Sequence, residues 1–194
     1  MREMIKLFVV VAVFSAVAGG LLATVKGATE ERIELQVLTY VKGPAIYKIL
    51  AGCSNQPLDD RFKLRDGEQE IDFFIGEFDG ERNTIAFETF GKGYGGDIGV
   101  MVAVNIDTDE IVGVGVTTHS ETPGLGARAQ SDPDFSEQFK GMSINESITI
   151  TVEGGAIDAL SGATITSRGV CAAVMVSSDI YTRLKDEIVK NITA

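Results

Sequence analysis

Four hydroxyl side chains stand within seven residues, at Ser161, Thr164, Thr166 and Ser167, around the small pair Gly162-Ala163. The stretch reads Asp158-Ala-Leu-Ser161-Gly162-Ala163-Thr164-Ile165-Thr166-Ser167. A helical apolar pattern follows, with Val170, Val174, Tyr181, Leu184 and Ile188 at three- and four-residue spacing. Ser167 suits the N-cap of that helix, and Arg183, Lys185 and Lys190 suit its C-terminal end. A helix start offers unpaired N–H groups and the positive end of the dipole, so an anion such as a phosphate suits this place. An ordinary hydroxyl-rich cap has the same composition, and these residues alone do not separate the two.

Two other stretches have similar properties. His119-Ser120-Glu121-Thr122-Pro123-Gly124-Leu125-Gly126 joins a tight Pro-Gly turn to polar Glu121 and Thr122 and to apolar Leu125. Its glycines let backbone N–H groups approach a flat ring; a plain loop after a strand reads the same way. Gly91-Lys-Gly-Tyr94-Gly-Gly96 is a glycine-rich turn, without the Gly-Lys-Ser/Thr ending of a nucleotide-phosphate loop. No serine stands in a nucleophile elbow. Asp59-Asp60 and Asp107-x-Asp109 read as solvated turns.

Asp158-x-x-Ser161-Gly162-Ala163-Thr164 matches the D-x-x-(S/T)-G-A-T acceptor motif, and on it the chain resembles the FMN-binding domain family. The resemblance implies FMN held covalently by a phosphoester to Thr164, with Ser161, Gly162, Ala163, Thr166 and Ser167 around it. His119-to-Gly126 resembles the family segment that lies against the flavin, which implies contacts from His119, Glu121, Thr122, Leu125 and Gly126. For His119, a hydrogen bond near the ring and a solvated strand-end position remain equal alternatives. Tyr94 lies in the family's G-Y-G-G turn. The family includes the G subunits of Rnf-type ion-translocating ferredoxin:NAD oxidoreductases and the C subunits of Na+-translocating NADH:quinone oxidoreductases. The compact chain looks more like the Rnf type; the quinone-reductase type and a membrane-anchored sensory domain are alternatives. The resemblance implies electron relay beside other membrane subunits of such a complex, and a flavin transferase that installs the FMN.

The remaining composition agrees with a borrowed cofactor. One histidine and two distant cysteines, Cys53 and Cys171, assemble no zinc, haem or iron–sulfur site. The formal charge of -11 repels nucleic-acid backbones, so no nucleic-acid partner is expected. No disulfide is expected either, since Cys171 falls in a helical pattern.

These residues need elements to position them. Residues 7–25 are uncharged between Lys6 and Lys26, and 19 residues of helix cross about 28 Å. They read as an uncleaved single-pass anchor. Positive charges flank it almost equally; the short stub is expected inside and the large domain on the extracytoplasmic side. A helix is expected from Glu30 onward, interrupted at Pro44, then a loop over 52–60. Strands are expected at 71–78, 83–89, 98–106, 111–118 and 148–152, with a turn at Asp79-Gly80. Glycines in 111–118 mark a place where another backbone or a ligand comes close. The fold class is α+β: an N-terminal transmembrane helix followed by one domain of antiparallel sheet with packed helices. The expected divisions are 1–27 stub and anchor, 28–60 connector and 61–194 FMN-binding domain.

Overall fold

A computed structural model describes residues 1–192, which fall into two units, Met1–Tyr40 and a second beginning at Val41. In the first, α1 runs over Arg2–Gln36 with no buried residue. Its apolar side chains are bare: Phe8 and Phe14 are each 75% exposed. The helix is long and apolar enough to cross a membrane. Thr24 and Thr29 return their hydroxyls to the carbonyls of Gly20 and Val25, both at 2.8 Å, so neither needs water.

A π-helical turn over Val37–Lys42 leads into α2, Gly43–Ile49. Pro44 stands in the first turn of α2, just after the π-helical turn that interrupts the α-helical pattern. Its missing N–H costs nothing in a first turn, and the wider turn before it relieves the clash of its ring with the preceding carbonyls.

The second unit is built on one antiparallel meander in the order β1-β2-β3-β4-β5. The strands are β1 (Arg61–Asp66), β2 (Gln69–Phe78), β3 (Glu81–Lys92), β4 (Asp97–Asn105) and β5 (Glu110–Thr118). The expected Asp79-Gly80 turn is present, with both residues at positive φ. Side chains alternate between the faces. Phe73, Ile75, Ile85, Phe87, Val100 and Val102 form one core, closed by Val170, Val174 and Tyr181 of α5 (Thr164–Ile192). Phe74, Ala86, Met101 and Ala103 are buried on the other face. There α2 lies close: Ala45 and Ile49 sit over Gly113 and Gly115, the close backbone approach that those glycines imply.

Three expectations change. The segment 148–152 is no strand. Ile150 makes a single bridge with Ile157, and Thr151–Glu153 is a 3-10 turn, because the chain doubles back through Gly154-Gly155 too soon for a ladder. The helix expected from Ser167 begins three residues earlier, at Thr164. Asp109 is not simply solvated: it accepts the Tyr181 hydroxyl at 2.5 Å and pairs with Lys185, which ties the β4–β5 turn to α5. Both cysteines are free, and Cys171 is buried.

The end of β3 is fastened to the beginning of α5. Thr89 donates to the Ala173 carbonyl at 2.8 Å. Gly91 and Gly169 meet back to back, and a Cβ on Gly91 would stand 1.9 Å from the Gly169 oxygen. Glycine is required there because no side chain fits between strand and helix.

Two outcomes follow from this packing. Gly91→Ala forces strand and helix apart and lowers stability by at least about 2 kcal/mol, read by thermal unfolding of the detergent-solubilised chain. Burial raises the Asp109 carboxyl, but hydrogen bonds from Lys185 and Tyr181 outweigh it and hold the group below the usual carboxylate range. The folded state thus binds that proton more weakly than the unfolded state. The stability gap between wild type and Asp109→Asn is present at neutral pH and closes as pH falls through the carboxylate range, which unfolding at a series of pH values would show.

Candidate functional site

α5 starts where the chain leaves a tight turn. Gly162 has φ 78°, and the Ala163 N–H returns to the Leu160 carbonyl at 2.9 Å. Ser167 lies inside the first turns of the helix and is fully buried. Its hydroxyl accepts the Leu160 N–H at 2.9 Å and donates to the Ala163 carbonyl at 3.1 Å. This hydroxyl pins the turn from within the helix, which is why it does not serve as the cap. On the outer side, Gln138 accepts the Asp158 N–H at 2.6 Å and donates to the Asp158 carbonyl at 3.3 Å. No pattern in the sequence points to Gln138.

The first N–H of α5 to find a carbonyl is that of Ser167, which bonds Ala163 at 3.0 Å. The N–H groups of Thr164, Ile165 and Thr166 have no partner among the described residues. They are the free donors of a helix start. The Thr164 side chain is exposed beside them and its hydroxyl makes no hydrogen bond among the described residues.

A cavity of about 570 Å³ opens at this helix end, lined by Tyr94, Glu121, Thr122, Leu125, Gly126 and residues 162–166. The volume falls in the range of small-molecule and cofactor sites, roughly 300–1,000 Å³. Three stretches far apart in sequence meet here: the Gly93–Gly96 turn, the 119–126 loop and the start of α5. Tyr94 is 76% exposed, Leu125 48% and Ile165 45%, so the rim presents apolar surface. Ile165 is a site residue that the motif does not mark; its place next to Thr164 in a first helical turn is the signal that could have found it.

Glu121 joins these stretches. It is only 6% exposed. One carboxylate oxygen accepts the Gly95 N–H at 2.6 Å and the other accepts the buried Thr166 hydroxyl. Gly126 permits this arrangement: a Cβ there would stand 2.5 Å from Glu121 and 2.6 Å from Thr166. The His119 ring lies outside the lining, and its Nδ1 accepts the Glu121 N–H at 3.2 Å. Ser161 is exposed, and neither it nor Ser167 lines the cavity.

The donor set fits the phosphate of a nucleotide cofactor. Three unpartnered N–H groups and a positive helix end surround an exposed hydroxyl, and an apolar rim lies beside it. Arg168, one turn further on, is committed to Glu153 at 2.6 Å, so the helix amides rather than a guanidinium supply the positive potential.

Comparison with known proteins agrees with this geometry. Residues 93–177, which include all three stretches, match the FMN-binding domain. The chain is 32% identical to the G subunit of the ion-translocating oxidoreductase complex of Methanosarcina acetivorans, over 92% of this chain and 94% of that one. It is 28% identical to the G subunit of the Na(+)-translocating ferredoxin:NAD(+) oxidoreductase complex of Acetobacterium woodii, over 94% of each. Among solved structures, the C subunit of the Na(+)-translocating NADH-quinone reductase of Parabacteroides distasonis is 30% identical and superimposes with a TM-score of 0.52, over 66% of this chain and 65% of that one. The chain belongs to the family of G subunits of ion-translocating oxidoreductase complexes and carries its FMN-binding domain.

Proposed function

We propose that this protein is a membrane-anchored electron carrier of an Rnf-type ion-translocating oxidoreductase, with FMN attached through a phosphoester to Thr164. The observation that carries the reading is the Thr164 hydroxyl, exposed at the mouth of the cavity and flanked by the unpartnered N–H groups of the first turn of α5. When bound, the flavin supplies the redox chemistry. Among the described residues no group of histidine, cysteine or carboxylate side chains is arranged to hold a metal.

The protein's own residues hold and orient. The amides of Thr164, Ile165 and Thr166 would hold a phosphate joined to the Thr164 oxygen. Tyr94, Leu125 and Ile165 offer the apolar surface that a flat ring system needs. Thr122 lines the cavity as an exposed polar group. Attachment exchanges the Thr164 O–H bond for an O–P bond and calls for a flavin transferase, with FAD as donor and AMP as the leaving group. A covalent bond keeps the carrier loaded at any free flavin concentration. The other subunits of the complex are the electron partners.

The anchor keeps the carrier beside those subunits. Its positive flanks are almost balanced, and the short stub ahead of a first hydrophobic segment is the reason to put the stub inside and the flavin domain on the extracytoplasmic face. Protease added to intact cells is expected to remove the domain; a domain protected until the cells are lysed contradicts this orientation.

The attachment has its own test. Chain produced with its native transferase gives a flavin-fluorescent band on a denaturing gel, and Thr164→Ala abolishes it, while Thr164→Ser retains part of it. A band of wild-type intensity from Thr164→Ala overturns the assignment.

A further inference from the structure

Glu121 is the one strongly buried carboxylate beside the cavity, and its environment is unusual for a charge. Burying an ionised carboxylate costs several kcal/mol unless it is compensated. Most buried carboxylates meet that cost with a cation, yet no ion pair among the described residues includes Glu121. Its partners are neutral: the Gly95 N–H on one oxygen and the Thr166 hydroxyl on the other. Thr166 is the third residue of α5, so the remaining compensation comes from the helix amino end.

A carboxylate does here what no other side chain can. It accepts at both oxygens at once, and so holds the Gly93–Gly96 turn and the first turn of α5 to the 119–126 loop. A glutamine in its place offers one acceptor and brings two donors of its own. The carboxylate also leaves a full negative charge in the wall of a cavity whose amides favour an anion. A single charge in such a partly dehydrated wall acts strongly on any change of charge inside it.

We infer that Glu121 is the positioning residue of the flavin site, holding its three segments in register, and that its charge makes the bound flavin harder to reduce. This rests on the flavin reading given above. Reduction adds negative charge to the cavity, and the neighbouring carboxylate opposes it. The brace and the charge separate by variant. Glu121→Gln removes the charge and preserves the volume. Thr166→Val removes one donor and preserves the charge.

The test has two arms on the full chain. The first uses the flavin-free Thr164→Ala chain in detergent and reads amide hydrogen exchange by NMR. Adding Glu121→Ala accelerates exchange at Gly95 at least tenfold, while amides in the middle of β4 stay as they were. The second uses chains loaded by the transferase and reads the flavin midpoint potential by spectroelectrochemistry. Glu121→Gln shifts the potential upward, and Thr166→Val does not. Unchanged Gly95 exchange overturns the inference, as does a Glu121→Gln potential equal to that of wild type or an equal upward shift in Thr166→Val. A wild-type chain with no flavin overturns the parent reading instead, and the exchange arm then decides the positioning role by itself.

Discussion

The site depends on leaving the amino end of a long helix bare while fixing everything around it. Free N–H groups inside a protein are costly, and most helix starts are capped at once by a side chain. Here the capping hydroxyls are used elsewhere. Ser167 turns inward to hold the preceding loop, and Thr166 donates its hydroxyl hydrogen bond to Glu121. Thr164 keeps its hydroxyl free at the cavity. The turn holds its shape through Gly162, Ala163 and the Gln138 clamp on Asp158.

The sheet makes this arrangement rigid. A five-strand meander of short-range pairings gives a floor on which α5 lies along β3 and β4. The contact of Gly91 with Gly169 fixes how closely the helix can approach, and Thr89 fixes its register along the strand. The Asp109, Tyr181 and Lys185 cluster holds the helix further along. A site built at the end of such an element keeps its geometry better than one built on loops alone, and electron transfer gains from a cofactor that stays in one place.

Much of this is legible in the residues. The periodicity of Val170, Val174, Tyr181, Leu184 and Ile188 marks α5, and strand alternation with Asp79-Gly80 marks the central hairpin. The motif around Thr164 marks the cavity wall. What is not legible comes from long-range contacts. β1 reads Arg-Phe-Lys-Leu-Arg-Asp, four charges in six residues with only Phe62 and Leu64 apolar, and becomes a strand by pairing with β2. Ser167 looks like a cap by type and position, but its burial under the preceding loop decides otherwise. Glu121 reads as a polar group offered to a ligand. The structure shows both of its oxygens committed to protein donors, a fact held in a contact between residues 45 apart. Ile150 loses its expected strand because its one bridge partner among the described residues lies seven residues away.

On the proposed reading, the chemistry of this carrier reduces to where a single bond is made. Peptide mapping by mass spectrometry of the wild-type chain, isolated from its own membranes, tests that most directly. The flavin mass is expected on the peptide containing Thr164 and on no other. A fully unmodified peptide there, in material that otherwise retains its complex partners, would contradict it.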